Sequence, residues 1–197
     1  MVGAFVLGGA TLGTLEQHPG AVETPIEAGS AAPQRSQPFP LEIGIVERVI
    51  DGDTYDVALE RTGEPMRVRL AWVDAPEPGQ AYGEAATRWA EDRLLHQRVV
   101  LTIQDVDRYG RTVAQLSVVG EGEMWDAGST LARSGLGWLD PRYGEDQRSL
   151  REDQERAKLD GIGLWSEPDP VSPWGWRRSS QAVDGDAEAA ALRPNDT

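Results

Sequence analysis

The stretch from Asp53 to Glu77 reads DTYDVALERTGEPMRVRLAWVDAPE, and its pattern decides the fold. Asp53–Glu60 is rich in β-forming residues and reads as a strand. Arg61-Thr62-Gly63-Glu64-Pro65 carries turn chemistry, and Met66–Val73 alternates apolar and polar with period two. Together they predict a β-hairpin. With the turn at its centre, paired residue numbers sum to about 127, which sets Asp53 opposite Asp74. Neighbouring strands lie roughly 4.8 Å apart, so both carboxylates can reach one cation. Glu77 follows on a loop past Pro76. Any one of these acids alone reads as a turn or strand end; three converging on one edge read as a site.

The same hairpin carries Arg67 and Arg69 on the face opposite Met66, Val68, Leu70 and Trp72. Arg67 reads as a charge partner only, whereas Arg69 is close to the Asp74 end. Arg69 and Asp74 are an odd number of residues apart. A flat strand would point them to opposite faces, so the chain is expected to bend near Val73.

Working outward, Leu41–Ile50 reads as a strand before the hairpin. Glu84–Gln97 reads as a helix with Ala86, Ala90 and Leu94 on one face and Trp89 beside them. Val99–Val106 and Thr112–Val119 read as two strands joined by Asp107-Arg108-Tyr109-Gly110-Arg111. A short helix is expected near Asp126–Ser134 and a charged one over Glu145–Asp160, stopped by Gly161. The order β-β-β-α-β-β-α-α is an α+β pattern. It suits a five-stranded barrel of the oligonucleotide-binding (OB-fold) type with three helices.

The flanks differ from this block. Residues 2–15 form a mild apolar run without a preceding basic residue or a clear cleavage site. We read it as an export signal or anchor rather than a bare apolar tail, which predicts a secreted, periplasmic or membrane-anchored protein. Residues 16–40 have linker composition, and 179–197 read as a disordered acidic tail, leaving 41–178 as the folded domain.

Composition narrows the function classes. The 197 residues suffice for one domain with tails, and no apolar run reaches the ~20 residues of a membrane span. Cysteine is absent, which excludes disulfides, thiolate metal sites and cysteine nucleophiles. Net charge is −14, and residues 41–178 alone hold 17 basic against 26 acidic side chains. Such a surface repels a polyanion at long range, so charge alone does not suggest nucleic acid. His18 and His96 have no partners at metal-ligand spacing.

The turn Asp107–Arg111 argues the other way. A hairpin turn needs Gly110 for its positive φ but has no need of two Arg and a Tyr. A guanidinium fork matches phosphate oxygens, and an aromatic ring stacks on a base.

In order along the chain stand Ile50-Asp51-Gly52-Asp53-Thr54, Arg69-Leu70-Ala71-Trp72-Val73-Asp74-Ala75-Pro76-Glu77, Tyr82-Gly83-Glu84-Ala85, Asp107-Arg108-Tyr109-Gly110-Arg111 and Gly161-Ile162-Gly163-Leu164-Trp165. This set resembles the staphylococcal nuclease (thermonuclease) family over roughly residues 42–167. Each motif alone is weak; all five in order at compatible separations are strong. The resemblance implies a calcium-dependent phosphodiesterase acting on DNA and RNA. By the same resemblance Asp53 and Asp74 match metal ligands, and Ala75 matches a position that lends its backbone carbonyl. Glu77 matches the carboxylate that orients or deprotonates the attacking water, and Arg69 and Arg111 match the phosphate-gripping arginines. Tyr109 and Arg108 match nucleotide-contacting positions, and Tyr143 a base-stacking one. The chain departs from the family in a shorter loop after Trp138-Leu139 and in its acidic balance.

The competing reading is a non-catalytic nucleic-acid or protein-binding module on the same barrel. Retention of all six matched catalytic and metal positions favours the enzyme. A hand-type calcium loop at Asp51 fails, because Tyr55 and Asp56 stand where an oxygen ligand and Gly are required. The expected partner is nucleic acid as substrate, with no stable protein partner and a monomeric chain.

Overall fold

The computed structural model describes residues 40–120, 122–143 and 146–180. The apolar run at 2–15, the linker through residue 39 and the acidic tail from 181 onward lie outside the described residues.

Strands β1 (Leu41–Val49), β2 (Thr54–Leu59) and β3 (Pro65–Leu70) form an antiparallel meander. A two-residue strand β4 (Val73–Asp74) and helix α1 (Gly83–Leu94) follow, then β5 (Arg98–Val106) and β6 (Thr112–Val119). Next come β7 (Met124–Asp126), α2 (Ala127–Arg133), β8 (Trp138–Leu139) and α3 (Arg148–Leu159). A helical stretch at 173–180, here α4, comes last among the described residues.

The order β3-β2-β1-β5-β6 closes on itself through a parallel β3–β6 pairing, Val68 with Thr112 to Leu70 with Ala114. The result is the expected five-stranded barrel. Closure removes sheet edges, leaving β7 as a short addition to β6. Inside, Val46, Tyr55, Val57, Val68, Leu70, Val99, Leu101, Ala114 and Leu116 are almost wholly inaccessible. Each large apolar side chain so buried contributes about 1.5–3 kcal/mol. Helix α1 adds Ala86, Trp89, Ala90 and Leu94 to the same core.

Several boundaries differ from the sequence reading. The first hairpin pairs Thr54 with Arg69 and Ala58 with Pro65, a register four residues tighter than the expected one. The cause is its turn: Leu59 N donates to Glu64 O and Gly63 N donates back to Leu59 O. Asp53 therefore lies beside Leu70, not opposite Asp74; Leu70 N donates to Asp53 O at 2.9 Å.

The expected continuous strand Met66–Val73 is broken at Trp72, whose φ is 66°. Ala71 N still donates to Ala114 O, then the chain swings away and β4 pairs with β8, Val73 with Leu139 and Asp74 with Trp138. This is the bend that the odd spacing of Arg69 and Asp74 requires.

Helix α1 ends at Leu94, not Gln97, because 95–97 are taken up by β1. His96 N donates to Val46 O at 2.7 Å, and Val46 N to Gln97 O at 3.0 Å. Helix α3 begins at Arg148 rather than Glu145. Helix α4 was not anticipated; it runs through Ser179 and Ser180, past the expected domain end at Arg178.

Candidate active site

The site lies where β2 begins, β3 ends and β4 turns across them. The Asp51–Asp53 loop is packed so closely that a Cβ on Gly52 would fall 2.6 Å from the Ala86 Cβ and 2.7 Å from that of Ala75. That contact sets Asp53 against the β4 segment. Asp53 is nearly buried, and its Oδ2 accepts from Ala75 N at 2.8 Å while Oδ1 accepts from Thr54 Oγ1 at 2.9 Å. The sequence expectation that Asp53 and Asp74 converge is met, by way of the Trp72 bend rather than by cross-strand pairing.

Asp74 is almost wholly buried and is held by two cations. Arg69, from the end of β3, pairs with Asp74 Oδ1, and its Nη2 lies 3.6 Å from Asp53 Oδ2. Arg177, from α4, donates through Nη2 to Asp74 Oδ2 at 2.8 Å and pairs through Nη1 with Glu77 Oε1. Glu77 stands on the loop between β4 and α1, where its backbone N donates to Gln80 Oε1 at 3.0 Å. Asp53, Arg69, Asp74, Ala75 and Glu77 are thus one cluster.

Arg67 has the role expected of it. It bonds Asp56, its cross-strand partner, at 2.8 Å, together with Arg48 and away from the cluster. The Arg67 hydrogen bonds hold the Asp56 carboxyl below its ordinary range.

Arg111, Arg108 and Tyr109 occupy the β5–β6 turn. Among the described contacts none of the three touches Asp53, Asp74 or Glu77. Asp107 accepts from Arg111 Nε at 2.7 Å and from the backbone N of Tyr109 and Arg111. Burial works to raise the Asp107 carboxyl, but these hydrogen bonds outweigh it and hold it below its ordinary range. Through the β3–β6 pairing Arg69 sits beside Val113, two residues on from Arg111, which sets the turn carrying Arg111 at the Arg69 end of that strand pair. Tyr109 is 68% exposed, with the guanidinium carbons of Arg108 and Arg111 at 4.8 and 5.5 Å from its ring centre. Tyr143 is exposed in the turn after β8, with Arg142 over its ring at 5.6 Å and no contact to the cluster among the described residues.

The donor set at Asp53, Asp74 and the Ala75 carbonyl is all oxygen, the choice of calcium or magnesium rather than of zinc. The Ala75 carbonyl accepts no hydrogen bond from the described residues. Burial first, and then the neighbouring charge of Asp53, pushes the Asp51 carboxyl up to about 6. These residues fit a hard divalent cation. Among the described residues no three Asp, Glu, His or Cys side chains group as a metal cage, so backbone, water and substrate oxygens would complete the shell.

Two participants escaped the sequence reading, Arg177 and Gln80. The run Trp174-Gly175-Trp176-Arg177-Arg178 stood inside the expected domain, and two Trp beside two Arg next to a linker-like Pro-rich stretch was the available signal.

A closed barrel that carries two buried aspartates, a loop glutamate and two arginines in one cluster at its edge is an oligonucleotide-binding-type scaffold with a charged site. Comparison with known proteins gives the family. The family model described as "Staphylococcal nuclease homologue" matches residues 67–167. "Micrococcal nuclease" of Shigella flexneri is 37% identical over 70% of this chain and 82% of its own length. "Protein ParB" of Escherichia coli is 38% identical over 70% of this chain and 80% of its own. "Thermonuclease" of Staphylococcus intermedius is 34% identical over 61% of this chain and 74% of its own. The chain belongs to the staphylococcal nuclease family.

Proposed function

We propose that this chain is a nuclease that hydrolyses phosphodiester bonds of DNA, RNA or both, with calcium as its metal. Its nuclease-named relatives support the reaction class, and the all-oxygen donor set at Asp53, Asp74 and Ala75 supports calcium. The observation that carries the reading is the convergence of that donor set with Glu77 and Arg69 at one edge of the barrel.

Bound there, calcium would polarise a phosphoryl oxygen and help neutralise the charge that builds up on phosphorus-bound oxygens. The remaining chemistry belongs to side chains. Glu77 Oε1 is engaged by Arg177, which leaves Oε2 to accept the proton of the attacking water. Arg69 projects its guanidinium into the cluster, where it donates to a non-bridging phosphate oxygen. Arg111 is fixed through Nε by Asp107, so its two terminal nitrogens remain to grip the phosphate as a fork. Charge on those oxygens is greatest in the transition state, so the arginines act mainly on kcat. Exposed Tyr109, with Arg108 beside it, offers a face on which a base stacks, and Tyr143 a second.

The metal is tested by calorimetric titration of chelator-treated protein. The reading expects calcium to bind at one site, and Asp53→Asn to abolish that heat. Calcium heat unchanged in Asp53→Asn would remove Asp53 from the metal site.

A further inference from the structure

The carboxylate at Glu77 is carried by a loop, and the stretch after residue 167, beyond the family match, returns to hold it. One tie is Gln80, which is nearly buried: its Oε1 accepts from Glu77 N at 3.0 Å, and its Nε2 donates to Val171 O at 2.7 Å. A second is Arg177, whose two terminal nitrogens span Glu77 Oε1 and Asp74 Oδ2. A third is Trp174, which stacks edge-on against Trp138 with ring centres 5.6 Å apart, and Trp138 is the strand partner of Asp74.

The geometry points to Arg177 as a positioning residue for Glu77, with 171–178 forming a strap that completes the active site. The inference rests on the nuclease reading of that site. A general base must present one oxygen to water in a fixed direction, and a misplacement of about 1 Å costs on the order of 100-fold in rate. A glutamate side chain on a loop has rotatable bonds that the barrel does not restrain. The planar fork of Arg177 restrains them, because one nitrogen anchors on the buried Asp74 while the other fixes Glu77 Oε1. Lysine, a point charge on a flexible stem, cannot span both carboxylates in the same way.

The Arg177 side chain is 42% exposed and lies outside the barrel core, and Asp74 keeps its pairing with Arg69 in its absence, so the barrel is expected to fold in Arg177→Ala. The test compares the full chain with Arg177→Ala and Arg177→Lys. Without metal or nucleic acid, hydrogen exchange at the amides of Glu77, Gln80 and Gly83 should quicken in Arg177→Ala while barrel amides stay protected. In oligonucleotide cleavage at saturating calcium, kcat should fall on the order of 100-fold with KM little changed. Free guanidinium ion should restore part of the lost kcat in Arg177→Ala, and Arg177→Lys should recover little. Unchanged or raised kcat in Arg177→Ala overturns the proposal, the latter by making the arginine an obstacle at the site. Exchange that quickens throughout the barrel, with no rescue by guanidinium, also overturns it, as a purely structural role. A parent chain that cleaves nothing defeats the nuclease reading instead, and the exchange measurement still decides whether Arg177 orders Glu77.

Discussion

Glu77 carries the heaviest chemical assignment, and its replacement by Gln keeps shape while removing the base. A loss of 10²–10⁴-fold in kcat, roughly the worth of general-base catalysis, is expected in single-turnover cleavage, with calcium affinity retained. Arg111→Lys keeps charge but forfeits the fork, so kcat should fall more than substrate affinity. Asp53 is both a metal candidate and the acceptor for the buried Ala75 N–H. Asp53→Ala would therefore leave that donor unpaired at about 1–3 kcal/mol, which makes Asn the cleaner probe. Asp51 gives a pH signature in metal-free protein. Its folded carboxyl titrates at about 6, above its ordinary value of 3.8, so ionising it opposes folding. Stability should fall as pH rises from about 4 to about 6. Asp51→Asn should flatten that slope in urea titrations, and an unchanged slope would contradict the burial argument.

At the scale of elements, the alternation of apolar residues made β1, β2, β3, β5 and β6 legible, and the Ala–Trp–Leu face did the same for α1. The hairpin register was not legible, because it depends on which residues close the turn, and the sequence of that turn admits several closures. Nor were β4 and β8, each two residues long and defined only by meeting the other. Their support is tertiary: Leu139 N donates to Gln154 Oε1 at 2.8 Å, and Gln154 is nearly buried on α3. Gln154→Leu should leave that N–H unpaired and lower stability by about 1–3 kcal/mol in urea unfolding. The start of α1 is equally constrained, since a Cβ on Gly83 would lie 2.0 Å from Glu77 O. Gly83→Ala should push the Glu77 loop outward. The expected loss is on the order of 100-fold in kcat with calcium binding intact, read by cleavage rate beside calorimetry.

For the whole molecule, the charge balance and the site point in different directions. A net charge of −14 offers no long-range attraction to nucleic acid, while the local features at Tyr109, Arg108 and Arg111 provide short-range grip. Raising salt from about 50 to about 200 mM should therefore change kcat/KM little, in contrast to the steep loss of a basic nuclease. The candidate site was legible in part. Of the nine carried-over residues, Asp53, Arg69, Asp74, Ala75 and Glu77 form one cluster, whereas Arg111, Arg108, Tyr109 and Tyr143 make no contact with it among the described residues. Arg177 was not legible, because its partners Asp74 and Glu77 lie about a hundred residues earlier and no local pattern couples them. The central claim is that these residues form a calcium-dependent nuclease centre. Its most direct measurement is cleavage of a labelled single-stranded oligonucleotide by the full chain, with calcium and with a chelator, alongside Glu77→Gln. Cleavage that requires calcium and collapses in Glu77→Gln is the result predicted here. Cleavage that persists in chelator at the same rate, or that Glu77→Gln leaves unaltered, would contradict it.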